Sequence, residues 1–566
     1  MDLAVTTHFS QGWPLSITAP ALSIGARSVR DSVRWNEVER IPGAYDFGAA
    51  AVAYPDRLRG EGIDMTMVFH PANPLYDNGE TVRTLEGLEA FASFVAAVLH
   101  RYPWLRRIEI GNEFNAGNFV SGEVLAAPYA DRAGYYARIV AAVDARLSRE
   151  FPHVEIIGGA MHSVPVGYAG MLVEAGAMDH SDAVAFHPYT SPPEQLAAHI
   201  DMLRAAMGPN PLPLHATEFS QEFSRPEEGP GYLVKMSSVM AAADVAVATW
   251  YALREQPWFK GTELLDRRGQ RLPAADAYAF LSGQILTREG ARRLPSDPFT
   301  HLYLFGDDVL VAWGEPRNIR LPADVAWYDA RGRRLAPGPR RLDRNAPLVA
   351  IAPRPISPKR DILLGSQPLL GDSFFQFDPR LAPDGSARAP WSGPMAATSS
   401  WTYLMENGEG KIAPLATMPG GEKANESWRP YVGHPYRRPL SVTEEAVVPV
   451  DFAQGTRPAA RESIVERFTS KVRRLAVICG AWRVSEASGD GGSLRITRNG
   501  KEIFARTGKD PISLRLEGVR LEPGTVLDFV VGPNGDARGG DTTTRAIAIY
   551  DAARAPAACP GLREPY

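Results

Sequence analysis

The fold class this chain predicts is α/β: a closed barrel of eight parallel strands ringed by helices, followed by two all-β regions. Three observations predict it. Short apolar runs alternate with longer amphipathic ones as far as about residue 285, the connections between them are short, and two of the runs stop abruptly at a glutamate. Runs linked in this way pair in parallel, and eight strand–helix units in roughly 280 residues is the size of a closed (β/α)8 barrel. An open doubly wound sheet would bind its ligand through a Gly-rich phosphate loop, and no such loop opens any of these helices.

In order, the strand-like runs are Leu3 to His8, Ser28 to Val33, Met65 to His70, Ile108 to Glu113, Val154 to Ala160, Ala183 to His187, Leu212 to Glu218 and Val245 to Tyr251. Between them Leu88, Phe91, Val95, Val98 and Leu99 recur at helical spacing, as do Tyr136, Ile139, Val140, Val143 and Leu147. The barrel domain is therefore expected over residues 1–285. Residues 286–355 change pattern: His301 to Trp313 reads as two strands joined at Gly306-Asp307-Asp308, and Leu348 to Ile351 adds a third to a small antiparallel domain. Pro353, Pro355 and Pro358 mark a stiff linker. From 356 to 566 the short strands Leu475 to Ile478, Ser493 to Ile496, Val526 to Val531 and Ala546 to Ile549, parted by Gly, Asn and Asp turns, predict a jelly-roll-like β-sandwich.

Composition excludes several classes of partner. A hydrophobic content of 45% with 22% charged residues is that of a globular protein. No stretch of about 18 apolar residues is present to cross a membrane. The formal net charge of −4, with both signs interspersed, gives no electrostatic case for nucleic acid. The two cysteines, Cys479 and Cys559, are too few for a zinc cluster and are either one disulfide or two buried thiols. No cofactor or metal is called for. Met1 runs straight into a strand without a signal-peptide pattern, so the protein is cytoplasmic, or it is periplasmic or secreted with its export signal removed.

Reactive groups of such a barrel sit where its strands end. Here those ends carry Arg30, His70, Asn112 with Glu113, His187 with Tyr189, Glu218 and Trp250. Hydrogen-bonding groups interleaved with flat rings suit a sugar, which offers hydroxyls to the former and an apolar face to the latter. Strands four and seven lie across the bore from one another, so Glu113 and Glu218 can form the carboxyl pair that glycosidic cleavage requires, with Glu113 as acid/base and Glu218 as nucleophile. Repulsion between close carboxylates is expected to raise the pKa of one and leave it protonated. A separation of about 5–5.5 Å implies retention of configuration, and one of about 6.5–9.5 Å inversion.

Asn112-Glu113, Glu218, and Val29-Arg30 through Trp35-Asn36-Glu37-Val38-Glu39 to Gly43-Ala44-Tyr45-Asp46-Phe47 resemble glycoside hydrolase clan A, and within it family 39 most. Leu264 to Gln270, with Pro273 and Tyr278, resembles the clan's exit from its last strand, whereas Gly-Asn-Glu-Phe-Asn at 111–115 departs from the clan's Asn-Glu-Pro. The resemblance implies a retaining mechanism in which Asn112 holds the sugar 2-hydroxyl, Arg30 and Tyr189 support the nucleophile, and Trp250 floors the subsite. Trp428 to Tyr431, His434-Pro435, Gly489 to Gly492 and Asp541 to Thr543 resemble β-sandwich modules of carbohydrate-active enzymes. The expectation is thus a hydrolase of a polysaccharide, endo-acting on a bacterial exopolysaccharide, or an exo-acting β-glycosidase on oligosaccharides. A polysaccharide-binding protein on an inactive barrel is the alternative from another class.

Overall fold

In the computed structural model, which describes residues 1–380, 400–423, 427–452, 460–534 and 541–562, the eight apolar runs are eight strands. They are β1 (Asp2–Thr6), β2 (Ser28–Ser32), β3 (Asp64–Phe69), β4 (Arg107–Ile110), β5 (Glu155–His162), β6 (Ala183–His187), β7 (Leu214–Phe219) and β8 (Val245–Trp250). All neighbouring pairs are parallel, and β1 pairs with both β8 and β2, which closes the barrel. Closure leaves no free strand edge within it.

The helices on the barrel follow from their apolar periodicity. Leu85–Arg101 starts at Thr84, whose side chain accepts a hydrogen bond from the Gly87 amide, and it buries Leu88, Phe91, Val95, Val98 and Leu99. Asp131–Leu147 buries Tyr136, Ile139, Val140, Val143 and Leu147. The Tyr136 hydroxyl reaches from this helix to donate to the Ile110 carbonyl at the end of β4, 2.7 Å away.

One strand end departs from expectation in a way that shapes the site. The fourth strand stops at Ile110, three residues before Glu113, because Gly111 (φ +79°) and Glu113 (φ +42°) are left-handed. Glycine adopts that conformation freely, whereas for glutamate it is strained by roughly 1–3 kcal/mol. Glu113 therefore sits on a tight turn beyond the strand and not in it. The turn is tied to β5 by a 2.8 Å bond from the Phe114 amide to the Ala160 carbonyl.

The described chain divides into two compact units. The first comprises Met1–Pro295, His301–Leu363 and Gly420–Arg429, and the second Ser296–Thr300, Leu364–Pro419 and Pro430–Tyr566. After the barrel an antiparallel five-stranded sheet is built on Thr300–Phe305, Val309–Gly314 and Leu348–Ile351, with Trp313 stacked on Tyr303 at 5.1 Å. In the second unit two antiparallel sheets face one another. Ile478, Trp482, Ile547 and Ile549 from one meet Trp401, Ile464, Ile496 and Phe529 from the other in a single apolar core. Arg545 and Glu466 form a fully buried bidentate pair within it, at 2.6 and 2.8 Å.

Cys479 and Cys559 are joined in a disulfide across a sequence separation of 80 residues. Among the described residues no helix is long and apolar enough to cross a membrane. Thiol titration of the unfolded, unreduced protein should find no free thiol, and Cys479→Ser with Cys559→Ser should lower urea stability by about 2–4 kcal/mol.

Candidate active site

The C-terminal ends of the barrel strands open on a cavity of about 570 Å³ lined by Arg30, Asp31, His70, Asn112, Glu113, His162, Tyr189 and Glu218, with the rings of Phe119, Tyr251, Trp258 and Phe259 around it. Its size and mixed lining are those of a small-ligand site.

At its base lies Arg30, which projects from β2 and is only 4% exposed. Its Nε and Nη2 donate to Glu109 at 2.6 and 3.1 Å, Nη2 also donates to Asn112 Oδ1 at 2.8 Å, and Nη1 donates to Glu218. One guanidinium thus joins β2, β4 and β7 across the bore. Burial opposes the charge on Glu109, but Arg30 and the donors around it outweigh that and hold its carboxyl down at about 2.

Glu218 is the last residue but one of β7, which runs one residue past its expected end. Tyr189 donates to its Oε2 at 2.7 Å and Arg30 to its Oε1, so both carboxylate oxygens have a donor. Burial, with the charges of Glu218 and Glu113, pushes the Tyr189 phenol well above its ordinary range and keeps it a donor.

Glu113 is held differently. Its Oε1 lies 3.0 Å from Nδ1 of His162 and 3.0 Å from Nδ1 of His187, whereas Oε2 has no partner among the described groups. His187 Nε2 is 3.0 Å from Thr217 Oγ1, and the single Thr217 hydroxyl proton is spent on Glu109 Oε1, 3.0 Å away. Thr217 must therefore accept from His187. With Nδ1 donating to Glu113, both ring nitrogens carry protons and His187 is an imidazolium. Burial alone would lower its pKa, but the carboxylates of Glu218, Glu109 and Glu113 raise it to about 9.

The expectation that carboxylate repulsion lifts the pKa of one glutamate is not met at Glu113. Burial does act upward, yet the bonds from His162 and His187 and the charge on the latter hold the carboxyl well below the usual range.

Carboxylate oxygens of Glu113 and Glu218 and a ring nitrogen of His187 all lie within 4.8 Å of one another. Among the described residues this is the one group whose spacing could receive a metal ion. Arg30 and the His187 proton already supply positive charge there, and an imidazolium has no lone pair to give a metal.

Of the other expected residues, Asn112 turns its Oδ1 to Arg30, which leaves its amide N–H groups for a ligand. His70 lines the cavity and stacks on Phe119 at 6.1 Å. Burial and then Arg30 lower its pKa to about 4, so it is neutral near pH 7. Trp250 does not join the cavity lining. It is fully buried against Phe219 and Phe223, with Nε1 donating 2.7 Å to the Thr262 carbonyl, and the cavity wall on that side is Tyr251, Trp258 and Phe259.

The Trp35–Glu39 motif makes a brace behind the site. Glu39 accepts from the Gly43 amide at 2.7 Å, the Tyr76 hydroxyl at 2.7 Å and the Trp35 indole at 2.5 Å.

Sequence reasoning missed Glu109, Asp31, Thr217 and His162. Asp31 accepts from Thr7 and Ser10 hydroxyls, both at 2.8 Å, and from the Phe9 amide at 2.6 Å, which anchors the turn after β1. Burial raises its carboxyl to about 6 in spite of these bonds.

No protein-family model matches the chain, and no curated protein does. Solved structures do resemble it. A family 39 glycoside hydrolase from Bacteroides cellulosilyticus WH2 superposes with a TM-score of 0.51 at 18% identity, over 62% of this chain and 80% of that one. A monomeric β-xylosidase from Caulobacter crescentus CB15 gives 0.46 at 14% over 62% and 96%. A family 39 enzyme from Xanthomonas axonopodis pv. citri gives 0.42 at 13% over 94% of both chains. The first likeness shows a shared fold.

Two predictions test this charge network. Arg30→Met leaves Glu109 buried without its cation and should cost about 3–5 kcal/mol in urea unfolding. The raised His187 pKa contributes stability that is fully present below pH 6.5 and is lost as pH rises through about 9. Stability should therefore fall by up to about 1.4 kcal/mol per pH unit across that window, and His187→Gln should flatten the slope.

Proposed function

We propose that this protein is a glycoside hydrolase acting with retention of configuration, with Glu218 as nucleophile and Glu113 as acid/base. The observation that carries the reading is the placement of the two carboxylates at one cavity with oxygens within 4.8 Å. Nearest oxygens this close favour the short carboxyl separation of retaining enzymes, about 5–5.5 Å, over the about 6.5–9.5 Å of inverting ones.

The two glutamates differ as the roles require. Glu218 is held at both carboxylate oxygens by Arg30 and Tyr189, which suits a nucleophile fixed for attack on an anomeric carbon. Glu113 keeps Oε2 free to give a proton to the departing glycosidic oxygen and then to take one from the water that releases the sugar. Substrate that covers this oxygen removes the water stabilising its charge, and so favours the protonated carboxyl the first step needs. The Asn112 amide can hold a sugar hydroxyl, and Tyr251, Trp258 and Phe259 line the cavity as aromatic surface for a sugar ring.

A cavity of about 570 Å³ has room for a ligand of small-molecule size, which accords with a short oligosaccharide or a few units of a longer chain as substrate. The β-sandwich is read as a sugar-binding or spacer module. One cavity on it is lined by Leu475, Arg498, Ile503, Leu516, Glu517, Gly518, Val519 and Arg520, none of them aromatic. The disulfide accords with an oxidising compartment outside the cytoplasm.

The test is hydrolysis of a panel of aryl β-glycosides, oligosaccharides and bacterial exopolysaccharides. Wild type should cleave at least one of them, releasing the same anomer first by NMR, with loss of roughly 10²–10⁴-fold or more in both Glu113→Gln and Glu218→Gln. Equal cleavage by either variant would refute the assignment. Long fragments as first products would support an endo-acting reading, and binding without cleavage a non-catalytic one.

A further inference from the structure

The site contains a polar residue that the paired-carboxylate reading does not use. His162 closes β5, lines the cavity and has a side chain 24% exposed, with Nδ1 set 3.0 Å from Oε1 of Glu113. Considerable backbone distortion delivers it there. The β5–β6 register shifts between Gly158 and Met161, and Gly159 (φ +87°), Ala160 (φ +41°) and Ser163 (φ +65°) are all left-handed. Non-glycine residues in that region each cost roughly 1–3 kcal/mol, which persists only where the surroundings enforce it.

The surroundings do enforce it. The buried Asn115 side chain accepts from the His162 amide at 2.7 Å and donates to the His162 carbonyl at 3.1 Å, a two-point clamp. Trp428, from the Gly420–Arg429 stretch of the same unit, meets the imidazole edge-on at 6.0 Å, and Tyr189 stacks at 6.3 Å. The ring is thus fixed in position and in tilt while part of it stays open to the cavity.

We propose that His162 is a positioning residue for the acid/base: its Nδ1–H, together with that of His187, occupies Oε1 of Glu113 and so commits Oε2 to proton exchange with the substrate. This rests on the hydrolase reading above. The charged and titratable groups that face the pair are His187, Tyr189 and Glu218 directly, with Arg30 and Glu109 behind them. His187 alone could hold Oε1 by one bond about which the carboxyl can swing. Two donors converging on one oxygen remove that freedom.

The proton balance is simple. In the first step the bond from the anomeric carbon to the leaving oxygen breaks, that carbon bonds to Glu218, and the proton on Glu113 Oε2 goes to the leaving oxygen. In the second, water gives a proton back to Oε2 as its oxygen bonds to the carbon and displaces Glu218. His162 keeps its Nδ1 proton throughout.

A residue that acts through the acid matters in proportion to how much the leaving group needs acid. The experiment compares 2,4-dinitrophenyl with methyl glycosides of the same sugar, chosen as the one among β-xylo-, gluco-, galacto- and mannopyranosides that wild type turns over best. The comparison uses wild type, His162→Ala, His162→Asn and Glu113→Gln. His162→Ala should lose roughly 10- to 100-fold in kcat on the methyl glycoside and several-fold less on the dinitrophenyl one. His162→Asn, whose amide N–H can reach Oε1, should recover much of that loss.

A loss in His162→Ala that is equal for both leaving groups, or no loss, would overturn the proposal, as would an His162→Asn no better than alanine. If Glu113→Gln itself shows no dependence on the leaving group, or wild type turns over none of the four sugars, the hydrolase reading fails first. Far-ultraviolet circular dichroism identifies a variant that has not folded, and His162→Asn then carries the comparison alone.

Discussion

The site depends on one buried cation. Arg30 gathers Glu109 and Asn112, from β4 and the turn after it, and Glu218, from β7 more than 100 residues on, into one cluster inside the barrel. Without it Glu109, at 0% exposure, would keep only the Thr217 hydroxyl and the His187 imidazolium 3.9 Å away. In a low-dielectric interior the loss of its directly bonded cation is costly. The arginine therefore serves stability and orientation together. Its planar fork aims Glu218, and the Asn112 oxygen it binds fixes which face of that amide is free.

Charge on the other side of the cavity is balanced by histidine. The chain of bonds from Glu113 through His187 and Thr217 to Glu109 leaves His187 no choice but to be cationic. Carboxylates at 113, 218 and 109 are thus matched by Arg30 and His187, with His162 adding a second donor to Glu113. The backbone on either side of this arrangement is strained at Glu113 and at Ala160, and the two strained turns are bonded to each other through Phe114 and Ala160. Strain that is mutually enforced at a cavity wall is consistent with a site whose geometry matters more than its local stability.

Much of this could be read from the sequence, for physical reasons. Runs such as Ile108 to Ile110 and Ala183 to His187 announce barrel strands because burial on both faces demands apolar residues. An abrupt carboxylate at their ends announces the reactive face. Glu109 was legible too: a charge between two isoleucines on a barrel strand has to face the bore, where only a buried partner such as Arg30 can satisfy it. Trp250 went astray by one residue. Side chains alternate along a strand, so Trp250 packs behind the barrel wall while Tyr251 meets the cavity. His162 was beyond reach because its position depends on the bulge at Gly159-Ala160, which carries β5 two residues past its expected end. The acidity of Glu113 was misread because its two histidine donors come from strands distant in sequence.

The most direct test of the central claim is covalent. A 2-deoxy-2-fluoro-β-glycosyl fluoride or dinitrophenyl glycoside of the sugar the protein accepts slows release of the glycosyl-enzyme more than its formation. Incubation followed by intact-mass measurement and peptide mapping should then find one added fluorosugar, on Glu218, with the adduct absent in Glu218→Gln. An adduct on any other residue, or turnover of the parent substrate with no adduct and with inversion of the anomeric centre, would contradict the account.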